Sequence, residues 1–376
     1  MRGVNRLVLT AFAASRRAIQ PTAGVRIQGS LMARAFSSSE QHYTIGLTGS
    51  GGLVGKAVLN EIRQRETLQG KPIRVICLVR GDKAEAPTGG DTLVWNPTGA
   101  AADDVLHPQA VAEMDAIVHL SGENVSTGLG PLGFLGIRPW TDQKKAEIVN
   151  SRVETTTALS KAVAAAADNK NKPKTFLVAS GVGVYGDKFI GDSLEAADES
   201  ANVDGVDGFL AHVSREWEGA TEEAVKSGKH RVVNMRFGVV MSKKGGALQK
   251  LYPVFLLGGG GRIGGGQQYF SFISARDIAR AILHTLETPS LEGPVNFCAP
   301  HPCTNLEFTK ALGSVLRRPT ILPFPGFAVN LLFGEMGEEM LLGGVRVVPS
   351  KLLDSGFEFL HPTINSALQS AMDEDI

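Results

Sequence analysis

The chain has 376 residues, a formal net charge of zero and 43% hydrophobic residues. Balanced charge leaves no electrostatic footprint for a nucleic-acid partner. The three cysteines cannot form a disulfide framework, and the single Cys/His cluster, at 298–303, has fewer ligands than a usual zinc site. No segment reaches the ~18 uninterrupted apolar residues of a membrane-spanning helix. These features favour a globular protein without a metal site or a transmembrane segment.

The first 40 residues differ from the rest in composition. Before Glu40 they contain six arginines, no lysine and no acidic residue. Leaders that are rich in arginine, contain serine and lack acidic residues are typical of organelle transit peptides. Because residues 34–39 look like a mitochondrial processing site, we predict a transit peptide over 1–40 and a mitochondrial protein. A plastid address and a basic tail without an address are the alternatives.

The next recognisable pattern is rich in glycine. Residues 48–55, TGSGGLVG, follow a short apolar stretch and precede a segment, 56–69, with apolar residues at helical spacing. Glycines between a strand and a helix let the backbone approach a pyrophosphate at the helix N-terminus. We therefore predict cofactor contacts from this loop, and its candidate residues are Gly49, Ser50, Gly52, Leu53, Val54 and Gly55. A plain strand-to-helix turn is the alternative.

Apolar strand patterns then alternate with helical patterns. Strands are predicted at 44–47, 73–79, 92–95, 116–120, 175–179 and 231–236, and helices at positions that include 143–167 and 215–227. This alternation predicts an α/β fold with a Rossmann-type, doubly wound parallel sheet. We assign 41–240 to an NAD(P)-binding domain. A ligand is expected in the crevice at the carboxyl ends of the strands. Residues 241–376 are assigned to a smaller C-terminal substrate lobe, which completes this crevice and contributes back to the sheet.

The residue that follows the second long strand bears on the choice of cofactor. An NAD site usually has an acidic residue there for the ribose 2′-hydroxyl, whereas this chain has Arg80. A guanidinium pairs well with the 2′-phosphate of NADP. We therefore expect NADP. The nearby Asp82 keeps NAD open, and an ordinary exposed arginine is the alternative for Arg80.

Three motifs together resemble the extended short-chain dehydrogenase/reductases: residues 48–55, 120–124 and 180–186. Further motifs at 140–141, 151–152, 236–240, 258–269, 339–344 and 349–357 are similar to the atypical epimerase-family subgroup of NAD(P)-binding proteins. The resemblance runs from residue 44 to the C-terminus. It implies cofactor contacts from Leu120, Ser121 and Gly122, and from Glu147 and Arg152 on the next helix. The alternative for the last two is a pair of charges on a solvated helix.

The resemblance also exposes a departure in the catalytic residues. Enzymes of the wider superfamily use a Tyr-x-x-x-Lys pair, in which the lysine lowers the pKa of the tyrosine for proton transfer. None of the four tyrosines here has a basic residue four positions later. The equivalent helix is expected to begin near residue 208, so that Leu210 and Ser214, to within one position, stand where the pair would be. Ser180, Tyr185 and His212 remain as candidates to replace it.

Two functions therefore stay open. One is an NADP-dependent oxidoreductase or epimerase that acts on an unknown small substrate with an unconventional acid or base. The other is a non-catalytic nucleotide-binding protein that works as a redox sensor or an assembly scaffold. The apolar, Gly/Pro-rich segment 128–138 is expected to be a lid, a partner-docking loop or a disordered insertion. Ser274 and Thr304 are predicted to cap two helices of the C-terminal lobe.

Overall fold

The structure is a computed structural model that describes residues 42–81, 91–99, 101–125, 139–166, 174–187 and 196–373. The predicted leader, Asp82 and the 128–138 segment lie outside the described residues. Within those ranges no helix is long and apolar enough to cross a membrane. The same ranges contain no group of three or more histidine, cysteine or acidic side chains that could hold a metal ion.

An eight-stranded, mostly parallel sheet forms the centre of the described molecule. Its parallel strands are, in spatial order, β11 (Gly293–Phe297), β7 (Arg231–Phe237), β6 (Thr175–Gly181), β5 (Ala116–His119), β1 (Tyr43–Thr48), β3 (Lys71–Arg80) and β4 (Asp91–Trp95). The short β2 (Thr67–Leu68) pairs antiparallel with the start of β3. The order reverses at β1, which lies between β3 and β5. The predicted doubly wound sheet is confirmed.

Helices flank this sheet. They are α1 (Leu53–Arg65), α2 (Ala102–Val105), α3 (Pro108–Glu113), α4 (Asp142–Ala165), α5 (Phe209–Gly219), α6 (Glu222–Lys226), α7 (Gly246–Leu256), α8 (Ala275–Glu287), α9 (Asn305–Leu316), α10 (Gly326–Gly337), α11 (Ser350–Asp354) and α12 (Ile364–Asp373). A 3-10 turn (Val182–Tyr185) follows β6, and a π-helical turn (Glu338–Leu342) follows α10. Two further pairs of strands are β8 (Val239–Met241) with β10 (Phe272–Ser274), and β9 (Tyr269–Phe270) with β12 (Cys303–Thr304).

Apolar side chains are buried on both faces of the sheet. On one face, Ile45 and Leu47 of β1 belong to a cluster that includes Ile282 of α8. On the other face, Ile117 of β5 belongs to a cluster that includes Leu159 of α4. Burying one such side chain stabilises the fold by roughly 1.5–3 kcal/mol. Because both faces are covered, the strands read as continuous apolar runs rather than as alternating patterns.

The predicted helices are present with shifted ends. The helix predicted at 56–69 occupies Leu53–Arg65. The helix predicted at 215–227 is two helices, α5 and α6, and the first of them begins at Phe209. Both predicted caps are confirmed, because the Ser274 and Thr304 hydroxyls accept the amides three residues later, at 2.9 Å and 3.2 Å. Local hydrogen bonding therefore positions these two helices.

Candidate functional site

The glycine-rich loop connects β1 to α1 at the point where the strand order reverses. Gly49 has a φ of +68°, and a Cβ there would lie 2.9 Å from the carbonyl carbon and oxygen of Leu120. A Cβ on Gly55 would lie 2.2 Å from the carbonyl oxygen of Gly49. Both positions therefore need glycine. A Cβ on Gly51 would meet nothing within 4 Å, so this part of the loop is open.

Within the described part of the chain, no side-chain cap is found at the start of α1. The N-cap residue, Gly52, offers no side-chain hydrogen bond. Leu53 lies against Gly245, Val54 packs on the main core, and Ser50 is 4% exposed. Uncapped amides and the positive end of the helix dipole together favour an anion at this end of the helix. In the predicted loop, the backbone is therefore open, whereas the side chains pack inward.

A buried polar chain that the sequence reasoning missed lies at the ends of β1 and β5. Both ring nitrogens of His119 form hydrogen bonds, one with the Thr48 hydroxyl at 2.7 Å and the other with the Thr155 hydroxyl at 3.2 Å. The Leu120 amide donates to the Thr48 hydroxyl at 3.1 Å. Burial lowers the pKa of His119 to about 3, so the ring is neutral at physiological pH. These hydrogen bonds fix the spacing of the two strand ends that carry the glycine loop and the Leu120 segment.

Arg80 lies at the same edge of the sheet as the glycine loop. It is the last residue of β3, two positions beyond Leu78, which pairs with Thr48 of β1. Its side chain is exposed. The structure therefore leaves the Arg80 guanidinium accessible at the edge where the sequence predicts a cofactor.

The segment after β5 lies directly beside the glycine loop. A Cβ on Gly49 would approach the Leu120 carbonyl oxygen to 2.9 Å and the Ser121 amide nitrogen to 3.1 Å. Leu120 and Ser121 are half-buried, and Gly122 is exposed. The structure brings Leu120 and Ser121 to the glycine loop, and Gly122 follows them toward Arg152.

Arg152 projects from α4 toward the same segment. Its guanidinium lies 3.3 Å from the position that a Cβ of Gly122 would take, and its carbon atom Cζ lies 4.8 Å from the centre of the Trp217 ring. Nη1 donates to the carbonyl of Ile148 at 2.9 Å. The residue is buried, and burial lowers the pKa of Arg152 to about 10, against an opposing effect of Glu123. Arg152 therefore stays charged at neutral pH.

Glu147 has a different environment from Arg152, although the sequence grouped the two. Its side chain is 48% exposed and accepts from Gln143 at 3.0 Å on the surface of α4. Lys144 lies 3.6 Å from Glu147 and 2.6 Å from Glu123. Glu147 belongs to a surface charge cluster, whereas Arg152 is inside the molecule.

Ser180, one of the three catalytic candidates, lies at the start of a buried network. Its hydroxyl donates to Glu218 Oε1 at 2.9 Å. Arg236 donates to both oxygens of the same carboxylate, from Nε at 2.8 Å and from Nη2 at 2.9 Å. This two-pronged geometry is the strong form of an arginine–carboxylate pair. The Ser180 hydroxyl is therefore committed to a neighbouring side chain.

Tyr185, the second candidate, continues this network. Its hydroxyl accepts from Arg236 Nη1 at 2.9 Å and donates to Asn296 Oδ1 at 2.8 Å. The backbone amide of Asn296 donates to Glu199 at 2.9 Å. Burial raises the pKa of Tyr185 to about 12, although Arg236 acts in the opposite direction. A phenol that is 1% exposed and protonated at neutral pH is suited to a structural hydrogen bond.

The two residues expected at the positions of the superfamily's Tyr/Lys pair, Leu210 and Ser214, have side chains that do not titrate. Leu210 lies 3.1 Å from the place of a Gly183 Cβ, and the Ser214 hydroxyl donates to the Leu210 carbonyl at 2.8 Å. The amides of Phe209 and Leu210 donate to the two oxygens of Glu339, at 2.6 Å and 2.8 Å. Glu339, which the sequence analysis did not select, therefore caps α5 from the π-helical turn.

His212, the third candidate, lies on the exposed surface of α5. Its side chain is 52% exposed, and Nδ1 lies 4.0 Å from Glu216 on the next turn of α5. Among the described residues, the only ion-pair contact of His212 is with Glu216 of its own helix.

A cavity of about 360 Å³ opens beside Leu210. The 3-10 turn, the start of α5, β9 and the π-helical turn form its walls, and Val239, Phe270 and Val345 contribute apolar surface. Its carboxylates are Asp187, Asp207, Glu335, Glu338 and Glu339. Ser180, Tyr185 and His212 are not among its lining residues. The cavity thus combines apolar walls with side chains that can exchange protons.

The model of the NAD dependent epimerase/dehydratase family matches residues 45–297. The chain belongs to this family. A domain of unknown function matches residues 324–371, which include Glu339 and the π-helical turn.

Relatives of the chain carry the same family name. Epimerase family protein Mb2239 of Mycobacterium bovis is 39% identical over 324 residues, 86% of this chain and 96% of that protein. Epimerase family protein SDR39U1 homolog, chloroplastic, of Arabidopsis thaliana is 33% identical over 91% of this chain and 90% of its own length. The crystal structure of human SDR39U1 (isoform 2) with NADPH is 29% identical with a TM-score of 0.71, covering 88% of this chain and 99% of that chain.

Proposed function

We propose that the protein binds NADP(H) along the carboxyl edge of the sheet, with the pyrophosphate against the glycine loop. The open loop at Gly51 and the uncapped start of α1 fit an anion. Arg80 provides an exposed guanidinium for the 2′-phosphate. The human relative that was solved with NADPH supports the same cofactor. In this arrangement Leu120, Ser121 and Gly122 border the ribose and the pyrophosphate.

We further propose that the protein is an oxidoreductase of a small substrate that binds in the cavity beside Leu210. The observation that carries this proposal is the cavity's position, next to Leu210, the residue expected to stand in place of the superfamily's tyrosine. The bound cofactor supplies or accepts the hydride. Residues that precede position 240 in the sequence and residues that follow it both line the cavity. This shared lining supports a division into a cofactor domain, 41–240, and a substrate lobe, 241–376.

The proton is exchanged by a cavity carboxyl group. Glu339 is held by two backbone amides, and Glu335 forms an ion pair with Lys145. Asp187, Asp207 and Glu338 make no comparable contact with described residues, so they are the carboxyl groups that can face a substrate. The carboxylic acid form donates the proton in the reductive direction, and the carboxylate form accepts it in the oxidative direction.

Transfer of isotope tests this function without knowledge of the substrate. The purified chain is incubated with a metabolite extract and NADPH that carries deuterium at C4 of the nicotinamide, with each face labelled in turn. We expect one labelled face to yield a metabolite heavier by one deuterium, as detected by mass spectrometry. If NADPH binds but neither face transfers its label, the oxidoreductase proposal is wrong.

A non-catalytic redox sensor or assembly scaffold is the second candidate. It is favoured by the commitment of Ser180 and Tyr185 to buried hydrogen bonds, and by Leu210 and Ser214 in place of the Tyr/Lys pair. In this alternative NADP(H) holds the two parts of the crevice together. The isotope experiment separates the candidates, because a sensor binds NADPH without transferring deuterium. Segment 128–138 is then a candidate for partner docking.

We also propose that residues 1–40 direct the protein to an organelle. Their arginine-rich, acid-free composition supports a mitochondrial address, and the name of the Arabidopsis relative supports the plastid alternative. A fusion of these residues to a fluorescent protein tests the proposal. Fluorescence that stays diffuse in the cytosol would exclude both addresses.

A further inference from the structure

Five large apolar side chains in the C-terminal part of the chain are exposed rather than packed in a core. Their exposed fractions lie between 65% and 87%, and they are Leu257, Ile321, Leu322, Phe327 and Leu331. We call these five residues the apolar patch. A single exposed apolar residue is ordinary, whereas a group of this size marks a surface that contacts a partner or a membrane.

Backbone contacts bring the end of α7 to the segment that follows α9. Arg318 Nε donates to the carbonyl of Leu256 at 2.7 Å, which places Leu257 beside this segment. A Cβ on Gly261 would lie 1.5 Å from the carbonyl oxygen of Leu322, so the loop after α7 runs directly against the same segment. These contacts join two parts of the apolar patch that are about 65 residues apart in sequence.

Helix α10 carries the rest of the patch and is apolar on two faces. Phe327 and Leu331 are one turn apart and exposed, whereas Val329 and Phe333 are buried. The ring of Phe333 packs against Phe324, which belongs to the segment before α10, with the ring centres 6.5 Å apart. This contact holds the exposed face of α10 next to the other patch residues. A helix that is apolar on both faces is normally covered on both.

The charges around the patch are of one sign. Residues 243–274 and 308–334 contain seven basic residues and no acidic residue, although the whole chain has equal numbers of both. Arg262, Arg317 and Arg318 are exposed. The described hydrogen bonds of Arg262 and Arg318 go to backbone carbonyls, which leave the positive charge of these guanidinium groups in place.

The first acidic residue after the patch does not neutralise it. Glu335 follows Gly334, where the backbone leaves the helical conformation and α10 is kinked. Beyond this kink Glu335 forms an ion pair with Lys145 and lines the cavity beside Leu210. The patch therefore combines protruding apolar side chains with a basic border.

This combination favours an anionic membrane surface over a second copy of the chain or an acidic protein. A two-fold contact through the patch would bring arginines close to the equivalent arginines of the other copy, and like charges across an interface repel. An acidic protein would also need an apolar groove of matching shape, whereas a bilayer accepts protruding side chains of any shape. Acidic headgroups complement the guanidinium groups, and the acyl boundary complements the apolar side chains.

We propose that the apolar patch attaches the protein to the surface of a membrane that contains anionic phospholipids. The five apolar side chains enter the boundary between headgroups and acyl chains, and the three arginines lie at the lipid phosphates. This attachment goes beyond the proposed function and does not require a bound cofactor.

Sedimentation with lipid vesicles tests the proposal on the full chain. The vesicles contain phosphatidylcholine alone or phosphatidylcholine mixed with phosphatidylglycerol. We expect the unmodified chain to bind the mixed vesicles more tightly than the neutral ones, and to bind them less tightly as salt is added. The double variant Phe327→Ser with Leu331→Ser is expected to bind the mixed vesicles at least about tenfold more weakly, because two inserted side chains are lost.

Two further variants separate charge and general hydrophobicity from the patch itself. Arg317→Gln with Arg318→Gln is expected to bind the mixed vesicles roughly tenfold more weakly and the neutral vesicles unchanged. Val225→Ser with Leu360→Ser removes two exposed apolar side chains outside the patch and is expected to bind as the unmodified chain does. All proteins contain residues 1–40, whose arginines also attract anionic vesicles, so a difference between them reports on the substituted residues alone.

The outcomes that overturn the proposal are distinct. The proposal is wrong if the unmodified chain does not bind the mixed vesicles, or if the serine and glutamine variants bind them as tightly as it does. Ultracentrifugation of the same proteins tests a second copy as the occupant. If the unmodified chain is a dimer and the serine variant is a monomer, the patch joins two copies and the membrane assignment fails. If the serine variant does not fold, the glutamine variant decides.

Discussion

At the scale of single residues, hydrogen-bond partners determine what each candidate side chain can do. The motif at 180–186 identifies Ser180 and Tyr185 as candidates to replace the Tyr/Lys pair. Their partners, Glu218 and Asn296, are 38 and 111 residues away along the chain. No local pattern encodes such pairing, so the sequence could select the residues but not show that their hydroxyls are committed. His119 was missed for the same reason, since it reads as one more residue of a buried strand.

His119 gives a prediction for stability against pH. Its pKa falls from 6.5 to about 3 on folding because the ring is buried. Below pH 6.5 the unfolded state binds a proton that the folded state does not, so stability is lost as the pH falls from 6.5 toward 3. The loss from this group reaches at most about 1.4 kcal/mol per pH unit.

The control is His119→Gln, which keeps a polar side chain that does not titrate. Chemical unfolding of both proteins is measured at several pH values between 6.5 and 4. We expect the free energy of unfolding of the unmodified chain to fall more steeply than that of the variant. Parallel pH dependences would show that the ring is not buried in its neutral form.

At the scale of elements, local signals specify most helices and strands, but the start of α5 is an exception. The caps at Ser274 and Thr304 were predictable because the hydroxyl and its amide partner are three residues apart. The N-cap of α5 is Gly208, which offers no side chain, and Glu339 provides the carboxylate from 130 residues away along the chain. The π-helical turn is thereby fastened to the helix that would carry the Tyr/Lys pair.

Removing the charge of Glu339 is expected to loosen the start of α5. Glu339→Gln retains one acceptor oxygen but loses the attraction between a carboxylate and the helix dipole, which contributes about 1 kcal/mol. Amide hydrogen exchange at Phe209 and Leu210 is expected to accelerate by roughly fivefold. Glu338→Gln, in the same turn and also lining the cavity, is the matched control. Equal protection of the two amides in both variants would contradict a capping role for Glu339.

At the scale of the whole molecule, the alternation of strands and helices predicted the sheet, and the structure confirms it. The edge strand β11 was not among the predicted strands because it begins with Gly293 and Pro294, residues that weaken a strand pattern but are tolerated at a sheet edge. The cavity could not be predicted either. Its walls combine segments that are far apart in sequence, such as Gly183 and Met340, and only the folded chain brings them together.

The central claim is that the crevice binds NADP(H) and selects it through Arg80. Calorimetric titration of NADPH and NADH into the full chain, and into Arg80→Ala, measures the affinities that test this claim directly. We predict that NADPH binds the unmodified chain at least about tenfold more tightly than NADH, and that Arg80→Ala removes the difference by weakening NADPH alone. No binding of NADPH, or equal affinities for the two cofactors in the unmodified chain, would contradict the account.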